Sequence, residues 1–217
     1  MSRTFAAIAS FSFLLIALAV PSVSFADTVY FSPTDNDLAE LPHENYFQWG
    51  IDWTLPADEE ILSATLTYYH IWDWRVETDH LYTHLLDSVS ISGAWITVNM
   101  GSYTYQTKTK TGSDSDGSGD SFSGQGYLLG DWNDPNGGSS NLAIDLSYSI
   151  PEDYFSWLND GSFGFGIDPN CHYYNDRIVF EIVTGPQGGP SVPEPSTLIL
   201  LGCGLIGIAG LKKRFHR

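Results

Sequence analysis

The chain has 217 residues and a formal net charge of −17, with 26 acidic residues against 9 lysines and arginines. Every acid except Glu194 lies between Asp27 and Ser191, where Arg75, Lys108, Lys110 and Arg177 are the only basic residues. So acidic a surface repels phosphate backbones and anionic lipid, which excludes nucleic-acid binding, and it attracts divalent cations, calcium being the obvious one outside cells.

At the amino end, Arg3 precedes an apolar run from about Ala6 to Val20, and Ser24-Phe25-Ala26 puts small residues where a signal peptidase reads them. Residues 1–26 are therefore predicted to be a secretory signal peptide cut after Ala26. A first transmembrane helix is disfavoured because Pro21, Ser22 and Ser24 follow the apolar run directly. What remains up to Ser191 has the length of one domain, assigned to residues 27–184.

Along that domain the apolar period is two. Leu62, Ala64, Leu66 and Tyr68 alternate with Ser63, Thr65, Thr67 and Tyr69, and Leu142, Ile144, Leu146, Tyr148 and Ile150 alternate with Ala143, Asp145, Ser147 and Ser149. Such spacing predicts half-buried strands. Further strands are predicted over Tyr46–Trp53, His80–Leu86, Trp95–Met100, Tyr103–Thr109, Tyr127–Leu129, Phe163–Ile167 and Ile178–Val183. Gly, Asn, Asp and Pro separate the runs, so the fold class is all-β, an antiparallel, jelly-roll-like β-sandwich. One short helix is predicted over Pro151–Asn159, with Pro151 as its first residue, Glu152 and Asp153 in its first turn and Gly161 beyond its end.

Thr111 to Gly126 is poor in apolar residues and reads as a loop. Within it Asp114, Asp116, Ser118 and Gly119 follow the oxygen spacing of a helix-flanked calcium loop, but Gln125 stands at the twelfth place, where a bidentate Glu belongs. A solvated loop is the simpler reading. A second loop, Asp131 to Ser140, carries stronger turn punctuation.

Two other turns are rich in oxygen. Ile71 to Asp79 and Asp168 to Asp176 would, if they met at one end of a sandwich, place Asp73, Asp79, Asp168, Asn170 and Asn175 around a hard cation such as calcium. The competing reading is that these Asp and Asn residues make turns by bonding their own backbone. His80 and His84 sit in a β-patterned run, about 13 Å apart along the strand, too far for one metal. Cys171 is the only cysteine of the domain and reads as a buried small hydrophobe more readily than as a nucleophile.

Seven tryptophans and twelve tyrosines invite a carbohydrate reading, since aromatic faces stack on sugar rings. They are also what small β-cores are built from. Glu44, Glu59, Glu60 and Glu77 could supply a glycosidase acid/base pair, yet nothing in their spacing shows one. No catalytic motif is present, so the domain is expected not to be an enzyme.

The carboxyl end changes character in three steps. Residues 185–196 form a Gly- and Pro-rich linker containing Pro193, Glu194 and Pro195; residues 197–211 are apolar; residues 212–217 are basic, with Lys212, Lys213 and Arg214. As a helix the apolar run spans about 22 Å against a hydrocarbon core of about 30 Å, making a short and weak transmembrane anchor in the inner membrane with its basic end in the cytoplasm.

V-P-E-P-S-T followed by a Gly-rich apolar run and K-K-R resembles the PEP-CTERM sorting signal of exported proteins in Gram-negative bacteria that make exopolysaccharide. That resemblance implies an integral-membrane exosortase as processing partner, with Pro193, Glu194 and Pro195 as its recognition element. It further implies transient anchoring, then release to the cell surface or extracellular matrix, with exopolysaccharide as a partner. The expected role is structural or adhesive. A carbohydrate-binding module is the alternative, and a glycoside hydrolase the weaker one.

Overall fold

The computed structural model describes residues 26–33, 38–91, 94–100, 103–113 and 119–188. The predicted signal peptide up to Phe25, the Pro193-Glu194-Pro195 segment, the apolar anchor and the basic tail lie outside the described residues, as do Asp114, Asp116 and Ser118.

Twelve strands are formed among the described residues: β1 (Asp27–Phe31), β2 (Glu40–Leu41), β3 (Asn45–Asp52), β4 (Glu59–Asp73), β5 (Leu81–Leu86), β6 (Ile96–Met100), β7 (Tyr103–Ser113), β8 (Tyr127–Trp132), β9 (Ile144–Ser149), β10 (Phe163–Pro169), β11 (Tyr173–Tyr174) and β12 (Arg177–Pro186). One sheet has the order β1-β12-β4-β11-β2, with β9 also paired to β4; the other has the order β6-β7-β3-β10-β5-β8. Every pairing is antiparallel. The chain changes sheet at every step of β2–β3–β4–β5 and again of β8–β9–β10–β11, so the two sheets are woven together rather than built one after the other.

The sheets meet over an aromatic core. Phe31 and Phe180, cross-strand partners in the first sheet, face Phe163 and Phe165 of β10 in the second. Ring centroids of Phe165 and Phe180 lie 4.9 Å apart, those of Phe163 and Phe180 5.6 Å, in edge-to-face arrangements. All four side chains are fully buried. Edge-to-face pairs of this kind add to the stabilisation from burial itself.

The strand predictions hold where alternation is unbroken, and two bulges in β4 show where it is not. Ile61 and Ala64 are buried while Leu62 and Ser63 between them are exposed, because the register against β12 shifts at Val183/Thr184. Leu62, predicted to face inward, is 48% exposed. The second shift lies between Tyr68 and Ile71, where His70 adopts a left-handed φ of 55° and its N–H donates to Asp145 Oδ1 at 2.8 Å. An extra residue in one strand reverses which side chains point inward beyond it. Inward residues therefore run Ala64, Leu66, Tyr68, then Ile71 and Asp73. This bulge turns a carboxylate into the core.

Smaller departures have similar causes. Leu142 belongs to a 3-10 turn (Ser140–Leu142) ahead of β9, and Ile144 faces the bulged part of β4; both are exposed where strict alternation predicts burial. The predicted helix is a 3-10 turn (Glu152–Tyr154) running into the four-residue α1 (Phe155–Leu158), and Pro151 caps it from outside with φ −65° and ψ 145°. Alternation does not single out β1, β2 or β11, and the last two are only two residues long.

The pairings fix where the ends of the body lie. Asp27 pairs with Thr184, and Thr184 with Ile61 near the start of β4, so β1 begins and β12 ends at one end of the first sheet. Asp73 ends β4 at the other end, roughly 40 Å away along the strand.

Candidate metal centre

Three turns close the end of the sandwich opposite Asp27 and Thr184. As β4 leaves the sheet, Asp73 pairs with Tyr173 of β11, and Trp74 N–H donates to the His172 carbonyl at 3.2 Å. The turn after β8 folds over this exit: Asp134 Oδ2 accepts from Asp73 N–H at 3.0 Å, and Gly138 N–H donates to the Asp73 carbonyl at 2.7 Å. A Cβ on Gly137 would lie 2.0 Å from the Arg75 carbonyl oxygen, so this position admits only glycine without displacing the backbone beside it.

Inside this clamp, one oxygen of Asp73, one of Asp79 and the sulfur of Cys171 all lie within 4.8 Å of one another. The three residues are 0%, 5% and 4% exposed. One oxygen of each carboxylate is held in place: Asp73 Oδ1 accepts from Arg75 N–H at 3.2 Å, and Asp79 Oδ1 from the Tyr173 hydroxyl at 2.9 Å. The other oxygen of each, Oδ2, is buried and has no hydrogen-bond partner. The Cys171 sulfur accepts from Trp74 Nε1 at 3.1 Å and its thiol donates to Glu77 Oε1 at 3.3 Å.

The electrostatics follow from burial without a counter-charge. Burial first, and the neighbouring Asp79 second, push the Asp73 carboxyl up to about 7. Burial and then the carboxylates of Asp79, Asp73 and Glu77 drive the Cys171 thiol far above its ordinary range. Among the described residues every ion pair joins a histidine to a carboxylate, and none involves Asp73 or Asp79. Arg75, the nearest cation in sequence, lays its guanidinium over the Trp74 ring at 3.9 Å.

Of the five residues predicted to surround a cation, this group contains two, Asp73 and Asp79. Asp168 lies outside it, on β10, where its Oδ2 accepts from Ser121 N–H at 2.6 Å and holds the turn before β8. Asn170 donates its N–H to the His80 carbonyl at 2.7 Å, and Asn175 donates its side-chain amide to the Leu38 carbonyl at 2.7 Å. The side-chain oxygens of both asparagines are buried without a hydrogen-bond partner. Cys171 is buried as predicted, but it sits among carboxylates rather than apolar neighbours alone. In the calcium-like loop the one described acid, Asp120, is engaged with His84 Nε2 at 3.0 Å and Phe122 N–H at 2.9 Å. His80 is 2.6 Å from Asp131, and His84 is buried.

An aromatic row borders the same end. Tyr174 stacks on both Trp72 and His172 with ring centroids 4.9 Å apart, and Trp74, 40% exposed, follows at 6.2 Å from His172. Glu40 Oε1 lies 2.8 Å from His172 Nε2. The four glutamates considered for a glycosidase pair are dispersed: Glu59 and Glu60 open β4, Glu77 lies beyond its other end, and Glu44 pairs with His43 at 3.5 Å. A separate cavity of about 330 Å³ between Gln48, Leu86 and Trp157 has Asp87 as its one lining carboxylate.

Beyond the body, residues 191–214 match the sequence-family model of the PEP-CTERM protein-sorting motif. The chain carries a PEP-CTERM sorting signal. Pro193, Glu194 and Pro195 fall within the matched residues, as do the apolar run and Lys212 to Arg214. A PEP-CTERM signal marks an exported protein targeted to an exosortase, with passing residence in the membrane before it reaches the surface or the exterior. The PEP-CTERM match covers the tail and not the sandwich; no curated protein and no solved structure matches the chain. No helix among the described residues is long and apolar enough to cross a membrane.

Proposed function

We propose that this protein is a non-catalytic component of the cell surface or extracellular matrix, delivered by two cleavages and associated there with exopolysaccharide in a structural or adhesive role. Signal peptidase cuts after Ala26, residues 197–211 hold the chain briefly in the inner membrane, and exosortase acts at Pro193-Glu194-Pro195. The observation that carries this reading is the PEP-CTERM motif over residues 191–214. The topology supports it: Asp27, the predicted new amino terminus, is the first residue of β1, and its partner β12 leads directly into the tether, so neither cut removes a paired strand residue.

Replacing Pro193, Glu194 and Pro195 together by alanine tests it. The variant is expected to accumulate in the membrane fraction while the wild-type body is recovered outside the cells. Equal release of the two would contradict exosortase processing.

The second reading, a carbohydrate-binding module, is favoured by the Trp72–Tyr174–His172–Trp74 row with Glu40 beside it, since exposed aromatic edges and a carboxylate are what sugar rings and hydroxyls contact. Binding of the host polysaccharide that is weakened by Trp74→Ala supports it. Binding unchanged by that substitution rejects it and leaves the first reading standing.

A further inference from the structure

We propose that Asp73, Asp79 and Cys171 form a binding site for a divalent metal ion of the zinc class. The inference concerns the sandwich alone and is independent of how the chain is sorted.

Two features of the group point to a ligand, and they are separate from each other. The first is proximity: two carboxylate oxygens and one sulfur converge within 4.8 Å at a site where no lysine, arginine or histidine of the described ion pairs enters. The second is the unfilled bonding capacity. Asp73 Oδ2 and Asp79 Oδ2 belong to residues at least 95% buried and have no hydrogen-bond partner. Two buried carboxylates in one pocket with no lysine, arginine or histidine paired to either are strongly unfavourable. A doubly charged cation relieves both.

The surrounding bonds are arranged as a ligand shell requires. Each carboxylate has Oδ1 oriented by a donor, Arg75 N–H or the Tyr173 hydroxyl, and keeps Oδ2 available. Trp74 Nε1 donates to the sulfur at 3.1 Å and fixes its position. Glu77 Oε1 already accepts the thiol hydrogen at 3.3 Å and provides the route by which that proton leaves when the metal–sulfur bond forms. Outer donors of this sort fix the geometry of metal ligands and are worth about 10–100-fold in affinity.

The donor set selects the metal. Calcium takes six to eight oxygen ligands and gains little from sulfur. Two oxygens and one thiolate instead suit a borderline ion bound tetrahedrally, with metal–sulfur distances of about 2.3 Å and metal–oxygen distances of about 2.0–2.2 Å; this sets the ligand atoms about 3.5 Å apart, within the observed limit. Water or Glu77 completes the fourth position.

The test uses the full chain, purified in mild detergent with chelator and then dialysed free of it. Cobalt(II) is expected to bind one to one and to develop a near-ultraviolet thiolate-to-cobalt band that zinc(II) abolishes by displacement. Cys171→Ser, shown by circular dichroism to remain folded, is expected to lose the band, and Trp74→Phe to weaken zinc about tenfold. Zinc should raise the melting midpoint of the wild type and leave that of Asp73→Asn unmoved. A cobalt spectrum without the thiolate band, a midpoint indifferent to zinc, or a calcium response that survives Cys171→Ser would each overturn the proposal.

Discussion

The middle of the sandwich and its far end solve the same problem of burial in opposite ways. In the middle, Phe31, Phe163, Phe165 and Phe180 fill the space between the sheets with rings in edge-to-face contact, and stability comes from area removed from water and from dense packing. At the far end, the buried volume is occupied by Asp73, Asp79, Asn175 and Cys171 with the half-buried Asn170 beside them, and both aspartates and both asparagines carry buried side-chain oxygens without a hydrogen-bond partner. Burial there opposes folding until something neutralises it. The first region explains why the body holds together, and the second is where a ligand would change its stability.

The largest way to break this contrast is to empty the middle. Phe180→Ala removes a ring that touches Phe31, Phe163 and Phe165, and is expected to lower the unfolding free energy by about 3–5 kcal/mol in urea titrations, whether or not metal is present. A loss under 1 kcal/mol would mean that the aromatic layer is not the main support.

Alkali probes the layer between the two regions. Burial, followed by the Asp131 carboxylate, pushes the Tyr148 phenol from 10.0 up to about 12, and burial raises Tyr68, whose ring meets it edge to face, still further. Between those limits the unfolded chain has released the proton that the folded chain retains, so stability falls as pH rises from about 10 to about 12, by about 1.4 kcal/mol per pH unit for each phenol. Tyr148→Phe should flatten part of that slope. A stability profile level across this window would contradict the burial of both phenols.

The smallest effect is the most local. Gly137→Ala forces a Cβ against the Arg75 carbonyl and shifts the turn that carries Asp73, which is expected to lower stability by about 1–3 kcal/mol. It should also remove the zinc-dependent part of the melting midpoint, so that the variant melts at the same lowered temperature with zinc and with chelator. Retention of the full zinc effect would separate the clamp from the site.

What could be read in advance divides along the same line. Period-two alternation located most of the long strands, because a strand covered on one face must alternate, and residues such as Leu66, Tyr68 and Ile182 do. It could not locate the bulges at Leu62 and His70, since those depend on pairing with β12 and β9, and His70 gives no sign of the left-handed turn that a glycine would have advertised. The inward placement of Asp73 follows from that second bulge and was therefore visible only as turn-rich chemistry, not as a position. Cys171 next to Asn170 in an oxygen-rich turn was the available hint of a thiolate ligand, masked by the general tendency of single cysteines to pack as small apolar groups. The sorting signal was readable in full, because a processing enzyme reads linear sequence and a fold does not.

Delivery by cleavage at both ends of the body is the claim on which the rest of the functional account stands, and the intact mass of the protein recovered outside cells tests it most directly. The account predicts a species beginning at Asp27 and ending before Thr197. Recovery of extracellular protein that still carries Lys212, Lys213 and Arg214 would contradict it.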